Sequence, residues 1–312
     1  MKFYKWINKD GHRGLIYKEG LNVDPHPFNP SGDCRPGGMY YSREDILAFI
    51  DYGEDLYEVE PVGLEVYENP YIPIKWKAHQ VELKYVGKRT DGTVIQMLLD
   101  EGANIHVEDG FPLTWALRGR LLDVVRLLLK HGANYNEAML WAVRNGGLDL
   151  LQHTIDLGAD IHINKNLALI VAAQEGQLKI IKFLLEKGAD IHANNDDAFH
   201  WAVFRRHVDV IKFLLEKGAL VNCDALEQAA YGGQVPILKM LLDAGADIHI
   251  ENDCALYSAL KRTNIDIIEA MLEYDPNILE TFNIKGRPSV RLLWTQLKRN
   301  LKETGSLWGV SE

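Results

Sequence analysis

The sequence predicts a mainly α fold: a solenoid of stacked helix-turn-helix units, with a small α+β N-terminal domain and a C-terminal capping helix. Three observations lead there. A Gly-Ala phrase returns six times, at Gly102-Ala103, Gly132-Ala133, Gly158-Ala159, Gly188-Ala189, Gly218-Ala219 and Gly245-Ala246, at intervals of 30, 26, 30, 30 and 27 residues. Self-similarity at such a period belongs to stacked repeats rather than to one closed globule. Each phrase closes an apolar run with helical spacing. The composition then shifts on both sides of the array, which places the N-terminal domain at 1–85, the repeats at 86–275 and the cap at 276–312.

Residues 196–220 show how one unit is built. Asp196 or Asp197 can cap a helix start by accepting orphan backbone N–H bonds. Phe199, Trp201, Ala202 and Val203 follow on a short first helix, and Arg205-Arg206-His207 breaks the apolar pattern. Asp209 opens a second helix near the positive end of its dipole. Val210, Ile211, Phe213, Leu214 and Leu215 give that helix a wide apolar face. Gly218 suits the left-handed position that closes many helices. The same plan puts other second helices at 124–129, 148–157, 178–185, 237–242 and 265–272. Ala172-Ala173, Ala229-Ala230 and the single alanines Ala116, Ala142, Ala202 and Ala259 let first helices approach closely. One hairpin cannot bury its own apolar face, and stacking buries it between neighbours.

The phrase in full, as in Leu184-Leu185-Glu186-Lys187-Gly188-Ala189-Asp190-Ile191-His192, resembles the ankyrin-repeat family. Phe111-Pro112-Leu113-Thr114-Trp115-Ala116 is similar to that family's Thr-Pro-Leu-His-x-Ala helix opening. The resemblance spans roughly 90–275 and implies an ankyrin-repeat solenoid that binds protein partners. It also implies β-hairpin fingers between repeats, but the links here are short. Gly132-Ala133-Asn134-Tyr135-Asn136 leaves almost no room for a finger, which moves the expected binding surface to the helical concave face.

The first recognisable second helix, 93–100, has no first helix before it, since Lys84-Tyr85-Val86-Gly87-Lys88 is too short. Terminal repeats need caps, and residues 1–85 are the expected cover. Phe28-Asn29-Pro30-Ser31-Gly32 and Arg35-Pro36-Gly37-Gly38-Met39-Tyr40-Tyr41 give this segment its Tyr, Pro and Gly content. Ser42 with Asp45 reads as a helix start of capping-box character, with Ile46, Leu47, Phe49 and Ile50 as the buried face. Leu56-Tyr57-Glu58-Val59 and Leu64-Glu65-Val66-Tyr67 read as short strands ended by Pro61 and Pro70. Tyr17-Lys18-Glu19-Gly20-Leu21-Asn22-Val23-Asp24 and Lys75-Trp76-Lys77-Ala78 resemble the head of many ankyrin proteins of giant amoeba-infecting DNA viruses. At the other end Tyr274-Asp275-Pro276 stops the rhythm, and 288–304 reads as a closing helix with Val290, Leu293, Trp294, Leu297 and Leu301 on one side.

An apolar share of 47% supports a well-buried protein. A net charge of −10 argues against a general nucleic-acid binder, whose affinity comes from cations on phosphates. No stretch approaches a membrane span, and residues 1–10 lack the apolar core of a secretory signal. Cys223 and Cys254 fall in links of neighbouring repeats, expected about 10 Å apart and so beyond disulfide reach. With Cys34 they read as free thiols, which suits a reducing compartment.

In stacks of the resembled family the end of each first helix faces the concave groove. Carried over residue by residue, that row holds Arg118 and Gly119, Arg144 and Asn145, Gln174 and Glu175, Phe204 and Arg205, Tyr231 and Gly232, Lys261 and Arg262. Five cations stand against one acid there, in an acidic chain, with two aromatics in the middle. Arg and Tyr are favoured at binding hot spots. The row is therefore the candidate seat for an acidic, partly apolar segment of a host or viral protein; the plain alternative is a solvated row of turns.

Other recurrences read as structural. Trp115, Trp141 and Trp201 precede the first-helix alanine and are expected in the seam between repeats. His106, His162, His192 and His249 recur after Asp/Asn-Ile, a helix spacing apart. Zinc ligands must all lie about 2 Å from one ion, so loop hydrogen bonding is the expected role. Asn222 occupies the position that in related animal repeats is a target of asparaginyl hydroxylation. His12, Asp24, His26, Asp33 and Cys34 match no zinc or nucleophile pattern, and Gly37-Gly38 lacks a phosphate-binding context. No cofactor, metal or catalytic group is expected. Three function classes follow: a non-enzymatic interaction scaffold in the host cytoplasm or the virion, a ubiquitin-ligase adaptor using the C-terminal helix, and an enzyme whose head catalyses. The first is the leading expectation.

Overall fold

The computed structural model describes residues 2–8, 10, 16–26, 39–69, 73–285 and 287–307. His12, Asp33, Cys34 and the stretches 28–32 and 35–38 lie outside the described residues. The chain divides into two compact units, residues 1–141 with 149–159 and residues 142–148 with 160–312.

The first unit opens with an antiparallel sheet of β1 (Phe3–Ile7), β2 (Gly20–Val23), β3 (Met39–Tyr41), β4 (Asp55–Asn69) and β5 (Lys75–Lys88). The strand order is β1-β4-β5-β2, with β3 also paired to β5. Ile7, Met39, Tyr41, Val59, Ala78, Val81 and Leu83 form one core cluster of this sheet. The two short strands expected around Pro61 are one strand. Its register shifts between Val62 and Val66, and Pro61 pairs with Val81 without ending it. The pairing of β1 with β4 stops at Phe3↔Val59. Pro61 thus sits where β4 has a neighbour on one side only, the place where a sheet tolerates a residue with no N–H.

The expected capping box at Ser42 does not form. Residues Ile46–Tyr52 make a 3₁₀ helix with no side-chain cap. Ser42 Oγ instead donates to Ile74 O at 2.6 Å, and Asp45 Oδ2 accepts from Ile74 N at 2.7 Å. Both side chains pin the approach to β5. Ile46, Leu47, Ala48 and Ile50 are buried as expected, and Trp6 Nε1 donates to Ile46 O at 3.1 Å.

The sheet segment covers the first helices of its own unit, which holds α1 (Gly92–Asp100), α2 (Val107–Arg118) and α3 (Leu122–Lys130); α4 (Tyr135–Arg144) passes into the second unit after Trp141, and α5 (Leu148–Asp156) belongs to the first from Asp149 on. Tyr4 Oη donates to Glu101 Oε1 at 2.9 Å, Asn104 N to Glu44 O at 2.6 Å, and Trp115 Nε1 to Asp51 Oδ1 at 3.1 Å. Gly87 has no room for a side chain, since a Cβ there would lie 2.5 Å from Val94 Cγ2. The apolar side of α1 is closed by strands in place of a missing first helix.

The second unit holds α6 (Ile163–Gln174), α7 (Leu178–Glu186), α8 (Ala193–Arg205), α9 (Val208–Glu216), α10 (Cys223–Tyr231), α11 (Val235–Asp243), α12 (Ile250–Arg262), α13 (Ile265–Tyr274), α14 (Ile278–Thr281) and α15 (Arg291–Thr304). The first helices pack side by side in the order α6, α8, α10, α12. Ala172, Ala173, Ala202, Ala229, Ala230 and Ala259 are fully buried, which is what close approach requires. Past Lys88 the described residues contain no strand, so no hairpin finger separates the repeats. Three consecutive left-handed residues stand there instead: Asn164-Lys165-Asn166, Asn194-Asn195-Asp196 and Glu251-Asn252-Asp253. Asn and Asp tolerate this region better than other side chains.

The C-terminal helix closes the unit. Val290 and Leu297 are buried, and Trp294 Nε1 donates to Leu279 O at 2.9 Å. Arg287 stacks on Tyr257 at 4.9 Å and Phe282 at 4.8 Å and donates to Asn252 O.

Candidate protein-binding face

Every copy in the second unit has two polar ends. At the loop end the side chains bond to one another. Asp160, Asp190 and Asp247 each accept the backbone N–H two residues on, from His162, His192 and His249, at 2.9 Å. The imidazoles then meet the third left-handed residue. His162 Nδ1 lies 3.1 Å from Asn166 Oδ1, His192 Nδ1 3.0 Å from Asp196 Oδ1, and His249 Nδ1 2.6 Å from Asp253 Oδ1. Asn166 and Asp196 also accept from the backbone of the next copy, Asp190 N and Leu220 N, both at 3.0 Å. The expected loop hydrogen bonding of these histidines is thus observed. Asp196, with Asp197 one of two candidates to cap its own helix, instead reaches the following repeat. His249 also faces Asp275 at 3.3 Å, and its pKa is raised, chiefly by the hydrogen bond to Asp253. Asn222 caps α10 by accepting from Ala225 N at 3.0 Å and donates to Asn195 O at 3.1 Å.

At the turn end the side chains point to solvent. Arg144, Asn145, Glu175, Phe204, Arg205, Tyr231, Lys261 and Arg262 are exposed, and Gln174 is half-buried. The turns lock to their neighbours from beneath. His207 Nε2 lies 3.0 Å from Gln174 O, Asn264 Nδ2 donates to Ala230 O at 2.7 Å, and Gln177 packs against Gly146. Among the described residues no acid pairs with Arg144, Arg205, Lys261 or Arg262. Arg262 lies 4.2 Å from the Tyr231 ring centroid, Arg205 lies 5.8 Å from that of Phe204, and Phe204 meets Trp201 edge-on at 5.4 Å. Arg118 is exposed at the end of α2, in the first unit.

One residue of this face is missed by the sequence row. Arg206 donates Nη2–H to Gly232 O at 3.1 Å. It holds φ 64, where Gly146, Gly176 and Gly233 take the matching position of other copies. A bulky residue at a position usually given to glycine is the signal that finds it.

Trp115 is buried, while Trp141 and Trp201 are half-buried, and Trp201 meets His200 and Phe204 of its own helix edge-on. The thiols of Cys223 and Cys254 are free but closer than a helix spacing. Cys254 Sγ lies 3.7 Å from Cys223 O, because both side chains enter the seam where α10 packs on α12. Burial pushes both thiols above their ordinary pKa. In the head, burial lowers the Lys5 amine to about 8, and its Nζ donates to Tyr40 O at 2.6 Å. Asp24 Oδ1 lies 3.0 Å from His26 Nδ1. Among the described residues no three His, Cys, Asp or Glu side chains gather as metal ligands. Among the same residues no helix is long and apolar enough to cross a membrane.

Paired helices stacked through buried alanines, with locked turns, define a helical repeat protein. Residues 139–225 match the model of three ankyrin repeats, and residues 111–138 and 222–253 match that of the single ankyrin repeat. An ankyrin repeat protein of Acanthamoeba polyphaga mimivirus is 33% identical over 113 residues, 34% of this chain and 37% of its own length. An uncharacterized protein of the same virus is 29% identical over 138 residues, 41% of this chain and 96% of its own length. Another ankyrin repeat protein of that virus is 27% identical over 164 residues, 48% of this chain and 34% of its own length. Residues 111–253 are thus ankyrin repeats, the chain resembles the ankyrin repeat proteins of mimivirus, and it spans about a third of the length of the two just described.

Proposed function

We propose that the exposed turn ends of residues 144–262 dock an acidic, partly apolar segment of a host or viral protein. Ankyrin repeats make the chain a protein-protein interaction scaffold, a module typically without catalysis of its own. The finer reading rests on one observation. In a chain of net charge −10, the arginines and lysine of this row have no acid partner among the described residues. Surface cations beside carboxylates are ordinary solvated charge. Cations left alone next to exposed Phe204 and Tyr231 match what a partner's acids and apolar groups would use. The turns are locked to their neighbours, so little ordering is required on binding. Relatives in a virus favour the host cytoplasm or the virion as the setting.

Selection from a random peptide display library tests this. The intact chain is expected to enrich sequences in which Asp or Glu alternates with Phe, Tyr or Leu. The triple variant Arg144→Glu, Arg205→Glu, Arg262→Glu is expected to bind them at least ~10-fold more weakly, with an unchanged urea midpoint. Enriched peptides that bind the triple variant equally well would overturn the reading.

A further inference from the structure

Two guanidiniums from flanking copies reach adjacent residues of one turn, Tyr231-Gly232. Arg206, from the copy before, donates Nη2–H to Gly232 O at 3.1 Å. Arg262, from the copy after, lies 4.2 Å from the Tyr231 ring centroid. Arg205 adjoins Arg206 in the chain, beside the Phe204 ring. None of the three pairs with an acid among the described residues. Gly232 carries no side chain, and a Cβ there would come within 2.7 Å of Gln234 Nε2.

Resting on the docking reading above, we propose that Arg206, Arg262 and Arg205 seat a phosphorylated serine or threonine side chain of the protein partner. The guanidiniums are held before any ligand arrives, one by a carbonyl and one by a ring. Arg206 has one hydrogen bond and keeps the rest of its planar fork unspent. A carboxylate has oxygens enough for one fork. A phosphate monoester carries a charge of about −2 and a further terminal oxygen, so it accepts from two forks at once. Strain supplies a separate argument. Arg206 holds a left-handed φ of 64 where three other copies have glycine. Backbone strain of this kind gathers at ligand clamps. Arg120 and Thr263 also hold that position, but the Arg206 side chain alone of these reaches into the next turn.

The test uses the full chain and three synthetic peptides of one acidic-aromatic sequence, differing only in phosphoserine, glutamate or serine at the centre. The phosphoserine peptide is expected to bind at least ~10-fold tighter than the glutamate peptide. Arg206→Gly is expected to erase that preference while raising the urea midpoint, so lost binding cannot be lost folding. Equal binding of the phosphoserine and glutamate peptides overturns the phosphate seat. The broader docking reading survives that result if the Arg144, Arg205, Arg262 triple variant still loses both. A phosphoserine preference that persists in Arg206→Gly also overturns the seat. Failure of all three peptides to bind overturns seat and docking reading together.

Discussion

The loop end and the turn end of each copy are both polar, yet they spend their polar groups differently. At the loop end, His192, Asp196 and the backbone N–H of Leu220 satisfy one another. At the turn end, Arg144, Arg205, Lys261 and Arg262 lack an acid partner among the described residues. Recurrence alone therefore does not mark function. Four repeated histidines catch the eye in the sequence, and the rings of three of them, His162, His192 and His249, turn out to hold loops together. The irregular arginines, which follow no motif, are the groups with no acid partner among the described residues.

The sharpest way to break this contrast is at Asp196, which is buried and accepts from both His192 and Leu220 N. Asp196→Ala strands a backbone donor and is expected to cost about 2 kcal/mol in urea unfolding. A cost near zero would mean that the loop end is as idle as a solvated surface. Next is Arg206→Gly, which relieves a left-handed φ of 64. It is expected to stabilise by about 0.5–1 kcal/mol, the opposite sign to a loop-end change.

The third effect depends on pH. His249 faces Asp253, Asp275 and Asp247, and its folded pKa lies above the ordinary 6.5. Its contribution is therefore full below that ordinary value and is lost as pH rises through the raised one. The ring is partly exposed, so solvent screening holds the contribution under about 1 kcal/mol. The stability difference between the parent chain and His249→Gln is expected to shrink from about pH 6 to about pH 8; a constant difference would remove His249 from the ionic account. Smallest are Arg144→Ala and Lys261→Ala, each expected to shift the urea midpoint by less than about 0.5 kcal/mol. A larger loss from either would show that the turn end supports the fold.

The repeat plan was legible because it is local. Helical spacing, the closing glycines and the seam alanines are properties of short windows, and the observed second helices fall on the expected stretches. What escaped depends on partners far along the chain. Ser42 and Asp45 read as a cap because the backbone of Ile74 cannot be seen from their own window. Pro61 read as a strand end because its tolerance depends on where β1 stops. Asp196 read as an N-cap, since Asp suits both a cap and a left-handed turn, and only the next copy decides between them. Of the candidate binding face, the cation row could be read from the sequence. The approach of Arg206 to Gly232 could not, because it joins neighbouring copies.

The acceptors Asn166 and Asp196 take hold of the main chain of the following copy, at Asp190 in one junction and at Leu220 in the other. Main chain is the same whatever residue bears it, so each coupling is indifferent to the identity of the unit it joins. A substitution at Asp190 or Leu220 that keeps its N–H therefore leaves this hold in place, and the sequence at these two positions can drift while the joint stays sound.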